Sequence, residues 1–340
     1  MIFITGGTGL VGSHLLFFLV QSGKEVYALK RKNSSLEGLH GLFKHYSNKA
    51  EELLKKIHWI EGDILEMEEI GEYMNDVTEV YHCAALVSFD HSRRHEMMET
   101  NVRGTASIVD LCLQKGVNKF CFVSSISAIG PVGENGLADE ESYWKKTKTA
   151  SWYSWSKFNS ELEVWKGMAQ GLNVCIVNPS VIFGLGSWSK GSGSLFSMID
   201  EGQSFYTEGI TGYVDVRDVV KAMILLMDKE IFGERFILNS ENLGYKEIFM
   251  MIASGLGKKP PGIRAGRYLT SLVWRIQSLL SAFSGHSPVF TRELARASQN
   301  KKAYSNEKLI KTLGLKFIPV AESIQEICKA YKENNEPLKR

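Results

Sequence analysis

The sequence predicts an α/β fold, a doubly wound parallel sheet wrapped by helices, followed by a smaller lobe. Three observations predict it. Short β-branched runs alternate with longer helical stretches through the first half, a glycine-rich loop separates the first run from the first helical stretch, and the regular alternation breaks down after residue 180. A βαβ rhythm of this kind demands right-handed crossovers that lay helices on both faces of a parallel sheet. Ligands of such sheets bind at the carboxyl ends of the strands.

In order, "MIFIT" reads as a strand, "SHLLFFLVQSG" as a helix and "EVYALK" as a second strand; "HWIEGDI", "EVYHCAA", "KFCFVSS" and "NVCIVNPS" continue the sheet. The Gly/Ser-rich loop from Gly184 to Ser194 is either a flexible connection or a mobile loop beside a substrate. "YVDVRDVVKAMILLM" reads as a loop entering a helix, and "ERFILNS" as a strand. "RYLTSLVWRIQSLLSAF", Arg267 to Phe283, is interrupted by Arg275 and Gln277 and too short and polar for a membrane span, which leaves an amphipathic helix that packs on the core, covers a pocket or touches a membrane surface. The charged tail "KENNEPLKR" reads as frayed.

The chain has 340 residues, with 40 Lys+Arg against 38 Asp+Glu and 44% hydrophobic residues. That length accommodates a large domain with an appended lobe. The charge balance describes a globular protein with a small-molecule partner rather than a nucleic-acid binder. Because "MIFITGGTG" begins at once with a strand and a glycine loop, no room is left for a secretory leader, and a cytoplasmic location is expected. Five cysteines, Cys83, Cys112, Cys121, Cys175 and Cys328, form no CxxC pair and lie mostly in apolar runs, so they read as buried thiols. No metal site is expected.

"TGGTGLVG" places Gly6, Gly9 and Gly12 between a strand and a helix. Gly6 permits the tight turn, Gly9 lets the backbone approach a pyrophosphate, and Gly12 lets the helix pack close to the sheet; the unpaired amides of the helix start, at Leu10, Val11 and Gly12, then attract the anion. The second strand ends in "YALKRKN", with no acid to accept from a ribose hydroxyl. Lys30, Arg31 and Lys32 suit the 2′-phosphate of NADP instead, Arg31 with a forked contact, so NADP is favoured and NAD is the alternative. In "EGDI", Asp63, followed by Ile64, is placed to accept from an adenine amino group.

These segments, with "HCAA", "NVRGT", "FVSSISAIG", "YSWSK", "NPSVIFG" and "YVDVRDVV", occur in the order found in the extended short-chain dehydrogenase/reductase superfamily, the NAD-dependent epimerase/dehydratase family, which the chain resembles. The basic second-strand end, "NPSVIFG" and "YSNEKLIKTLG" look most like its dihydroflavonol reductase and 3β-hydroxysteroid dehydrogenase branch. The resemblance implies a Rossmann dinucleotide-binding domain, mainly residues 1–180, and a C-terminal substrate-binding lobe, mainly 181–340, with segments around 205–240 returning to the first. It implies catalytic roles for Ser125, Tyr153 and Lys157, with Ser124 beside the nicotinamide. Ala84, Ala85, Pro179 and Val181 are implied to line the cofactor, and a homodimer is the assembly implied. Two departures stand out. His82 replaces the usual asparagine of the fourth-strand motif, and Ile129 stands where many sugar-nucleotide enzymes carry tyrosine, which disfavours a sugar substrate.

Tyr153 and Lys157 are four apart, so on a helix they address one small volume. A free phenol titrates near ~10, and a nearby ammonium would lower that value, so Lys157 is expected to tune Tyr153 and hold the nicotinamide ribose, while Ser125 hydrogen-bonds the substrate oxygen. The reaction expected is interconversion of a ketone and a secondary alcohol on a moderately apolar molecule, with a nucleotide-sugar epimerase or dehydratase as the alternative. Asn101 reads as a helix-organising residue, and Asp215 and Asp218 as helix-capping and packing carboxylates. His91 and His95 lack a third ligand and read as a solvated helix start.

Overall fold

The computed structural model describes residues 1–131, 133, 136–147, 150–284 and 291–335. The first half runs β1 (Ile2–Thr5), α1 (Leu10–Gln21), β2 (Val26–Lys30), α2 (Glu37–Tyr46), α3 (Ala50–Leu54), β3 (Ile57–Glu61), β4 (Glu79–His82), α4 (Arg94–Met98), α5 (Gly104–Gln114), β5 (Lys119–Val123), α6 (Trp152–Ala169) and β6 (Asn173–Pro179). There follow β7 (Val181–Phe183), α7 (Ser194–Asp200), β8 (Phe205–Tyr206), β9 (Ile210–Asp215), α8 (Val216–Asp228), β10 (Glu234–Leu238), β11 (Glu241–Gly244) and α9 (Tyr245–Leu256). Last come β12 (Ile263–Arg264), α10 (Arg267–Ser284), α11 (Arg292–Ala297), α12 (Glu307–Leu313) and α13 (Val320–Asn335).

Seven parallel strands make the main sheet in the order β10-β6-β5-β4-β1-β2-β3. The order reverses between β1 and β4, which opens the crevice in which doubly wound folds bind their ligands. Both faces are covered, and the central strands show why: Phe120 and Phe122 of β5 enter one apolar cluster while Cys121 and Val123 enter the other. β6 repeats the pattern with Val174 and Ile176 against Cys175 and Val177. Strands buried on both sides have no polar face to display, hence their continuous apolar runs. α1 and α8 close one face through Leu15, Leu19, Val219 and Met223, and α5 and α6 the other through Ile108, Cys112 and Val164.

A second sheet, β11-β9-β7, borders a further apolar cluster in which Phe183 and Tyr213 stack with ring centroids 5.4 Å apart and Ile252 and Ile324 pack from α9 and α13. One expectation changes here. The stretch entering α8, read as a loop, is strand β9, because Tyr213 and Val214 are both buried and β9 pairs with β7 on one side and β11 on the other. All five cysteines are free thiols, four of them buried. Among the described residues no helix is long and apolar enough to cross a membrane.

Candidate active site

The glycine turn after β1 is shaped by two close approaches. Gly6 has φ +71°, a left-handed conformation open to glycine, and a Cβ there would stand 2.6 Å from the backbone nitrogen of Ala84. A Cβ on Gly12 would overlap the carbonyl of Gly6, and the Gly9 amide closes the turn on that same carbonyl at 2.9 Å. Gly9 is the cap of α1 and offers no side chain to it, and the first turn carries no acid. The amides at Leu10, Val11 and Gly12 are thus left for an external anion, with the helix dipole behind them. The backbone of Cys83 and Ala84 faces the turn at Gly6, and half-buried Ala85 follows it. The cradle fits a dinucleotide pyrophosphate.

The adenine end is defined less tightly. Lys30 lies opposite Glu61 in the β2–β3 register and donates to its carboxylate at 3.3 Å. Arg31 and Lys32 are exposed beyond the strand end; the Glu96 carboxyl is held below its usual value chiefly by its hydrogen bond with Arg93 and in lesser part by the charge of Arg31. Asp63 accepts the Leu65 amide at 3.0 Å, fixing its turn, and buried Ile64 packs against Gly104, where a Cβ would clash with it. At the other end Pro179 closes β6 against Leu238, and Val181 begins β7, half-buried.

Between these ends, α6 and the loop after β5 bring Ser125, Tyr153 and Lys157 together. Ser151 caps α6 through the Ser154 amide, and Ser154 Oγ donates to the carbonyl of Ser127, which ties the helix start to the Ser125 loop. Ser125 Oγ accepts from the Ser127 amide at 3.1 Å. Lys157 Nζ is buried, donates to the Val123 carbonyl at 2.8 Å and lies 5.0 Å from the Phe122 ring centroid. Burial lowers its pKa to about 8, opposed chiefly by the carboxylate of Glu161. Burial raises the phenol pKa of Tyr153, and its hydrogen bond with the Ser125 side chain lowers it. In this arrangement the Lys157 ammonium is held at the Val123 carbonyl, and burial keeps the phenol protonated through neutral pH. Phe89 meets the Tyr153 ring edge to face at 5.8 Å, an apolar wall beside the phenol.

Sequence reasoning did not find the layer beneath. Ser124 Oγ and Asn178 Nδ2 each donate to Glu161 Oε1 at 2.5 Å, and Arg235 from β10 reaches Glu161 Oε2 at 3.2 Å. Asn178 also donates to the Ser125 carbonyl at 3.0 Å. Ser124, placed beside the nicotinamide by resemblance, is thereby held by its hydroxyl to a carboxylate inside the protein. The available signal was Glu161 one turn beyond Lys157, on the same helix face.

Asn101, in a π-helical turn (Glu99–Arg103), bonds both backbone groups of Leu86, at 2.7 Å and 2.9 Å, and donates to Ser156 Oγ at 2.9 Å. It fastens the loop after β4 to α6, as an organising residue would. His82 points into the core between Thr5 and Thr105, 2.6 Å and 3.0 Å away, and burial lowers its pKa to about 3. Asp215 caps α8 and pairs with Arg217, and Asp218 accepts the Ile318 amide at 2.7 Å. Among the described residues no three His, Cys, Asp or Glu side chains gather as a metal site.

Residues 2–238 match the NAD dependent epimerase/dehydratase family. The chain belongs to this family. It is an NAD(P)-dependent oxidoreductase of the extended short-chain dehydrogenase/reductase type, with relatives of the dihydroflavonol reductase and 3β-hydroxysteroid dehydrogenase kind. A dihydroflavonol 4-reductase-like protein of Synechocystis is 26% identical over 333 residues, covering 95% of this chain and 92% of the relative. Sterol demethylase protein B of Methylococcus capsulatus is 26% identical over 318 residues, covering 92% of each. The solved UDP-glucose 4-epimerase of Thermotoga maritima superposes with a TM-score of 0.76 at 18% identity, covering 98% of this chain and 99% of that one, a likeness of fold.

Proposed function

We propose that this oxidoreductase interconverts a ketone and a secondary alcohol on a small, moderately apolar molecule, using NADP(H). The observation that carries the reading is the meeting of Ser125, Tyr153 and Lys157 at the carboxyl end of β5, with Phe89 against the phenol.

When bound, the nicotinamide supplies the hydride for the carbonyl carbon, or accepts it in the reverse direction. Tyr153 gives its proton to the carbonyl oxygen; burial keeps the phenol protonated until that acceptor arrives. Ser125 Oγ donates to the same oxygen and stabilises the charge that develops there. Lys157 uses one donor on Val123 and has others for the nicotinamide ribose. Arg31 takes the 2′-phosphate of NADP in a forked contact, since Lys30 is engaged with Glu61. The absence of an acid at the end of β2 supports the same choice.

The test is to purify the protein without nucleotide, denature it, identify any dinucleotide released, and titrate the empty fraction with NADPH and NADH. An empty protein that binds NADPH more tightly supports the proposal. Stoichiometric release of NAD overturns it in favour of an epimerase or dehydratase that recycles a retained cofactor.

A further inference from the structure

The charge of this chain is unevenly spread. Residues 258–302 contain nine Lys or Arg and one Asp or Glu, although the whole protein has a net charge of only +2, so the rest of the chain is net acidic. The same segment carries α10, whose Tyr268 is 95% exposed, Leu272 55% and Ile276 50%. Positions four apart drift by only about 40° around a helix, so the three form one stripe. Thr270 on the opposite side is buried, which fixes the stripe as the face turned away from the protein. Ile263 and Phe205, paired in the small β8–β12 sheet that leads into α10, are also exposed.

Cations are spread over this helix and the chain around it. Arg267 and Arg275 are exposed on α10 itself, Arg275 immediately before Ile276 of the stripe, while exposed Arg292 stacks over Trp274 on the Thr270 side of the helix, 5.9 Å from the ring centroid. Gln299 donates to the Ala265 carbonyl at 2.7 Å and so brings the chain around exposed Lys301 alongside the start of the helix. Lys258 and Arg264 are paired with Asp200 and Glu208.

We propose that this face adsorbs to an anionic lipid surface, with α10 lying in the headgroup plane. Tyr268, Leu272 and Ile276 enter the acyl boundary, and the arginines meet lipid phosphates. An exposed apolar stripe edged by Arg and Lys is the pattern such interfacial helices share, and each nearby cation adds attraction to anionic headgroups. The same charge disfavours self-association through this face, because a two-fold contact would set one cationic patch against its copy.

Co-sedimentation of the full chain with phosphatidylcholine vesicles, and with vesicles containing phosphatidylglycerol, tests this. The expected result is at least about tenfold stronger binding to the anionic vesicles, weakened by salt. A Tyr268→Gln, Leu272→Gln, Ile276→Gln variant with an unchanged thermal transition is expected to lose that binding. Wild-type protein that stays in the supernatant with both vesicle types overturns the proposal. So does a dimer that the variant dissociates, measured by sedimentation velocity, if vesicles bind neither form. No outcome depends on turnover or on the cofactor.

Discussion

Arg235, on the edge strand β10 and in register with Ile176 of β6, reaches the carboxylate of Glu161 at 3.2 Å. Glu161 is 2% exposed and its other oxygen takes Ser124 and Asn178, so its charge is surrounded by donors. Removing one partner from a buried pair leaves an uncompensated charge, which typically costs about 3–5 kcal/mol. Arg235→Met is therefore expected to lower unfolding free energy in urea by about that amount. An unchanged denaturation midpoint would contradict the pairing.

Glu161 also opposes the effect of burial on Lys157. With its pKa lowered to about 8, Lys157 is charged below that pH and loses the charge as pH rises through it. If the charged form is the active one, kcat/KM should fall above about pH 8. Glu161→Gln removes the supporting charge, so the alkaline limb should move to lower pH. A limb that stays in place would show that Lys157 is not the group observed.

Tyr153→Phe keeps the ring against Phe89 and removes the proton. Turnover should drop by about 10²–10⁴-fold, the usual contribution of a general acid. Equilibrium titration should find NADPH affinity within about twofold of wild type. Retained turnover would remove Tyr153 from the mechanism.

Arg31→Gln separates the two dinucleotides. A charge-assisted contact contributes about 1.5–3 kcal/mol, so NADPH affinity should fall by roughly 10- to 100-fold while NADH affinity is unchanged. Equal losses for both would mean that Arg31 does not read the 2′-phosphate.

Two buried histidines weaken the fold in acid. His14, lowered to about 4, and His82, lowered to about 3, are neutral when folded but titrate near their ordinary 6.5 when unfolded. Between those values the unfolded chain binds more protons, so stability is present above about pH 6.5 and is lost as pH falls toward 4, by up to about 1.4 kcal/mol per pH unit for each histidine. Urea melts at pH 7 and pH 5 measure the loss, and His82→Asn should reduce it, against the opposite contribution of Asp218, whose carboxyl pKa burial raises to about 6. An identical loss in the variant would exclude His82 as a source.

Local features were legible in the sequence. Gly6 and Gly12 announce backbone approaches that only glycine permits, Tyr153 and Lys157 share a helix face, and strands buried on both sides betray themselves by unbroken apolar runs. What could not be read required register or distant partners. Lys30 looked available until β2 was aligned with β3 and Glu61 came opposite. The role of Glu161 rests on Arg235, 74 residues later, and no local pattern links them. β9 resembled a loop because Gly212 and Asp215 interrupt its apolar run, and its pairing with β7 and β11 decides the matter.

The outermost strand carries a consequence for synthesis. β10 is separated from β6 in the chain by β7, α7, β8, β9 and α8, so a polypeptide that extended only as far as residue 183 would leave β6 as an unpaired edge and Glu161 without its arginine. The floor beneath Ser125 and Lys157 then waits on residues made long after the helix that bears them. The carboxylate cluster beneath those two residues is complete only once the seventh parallel strand has docked.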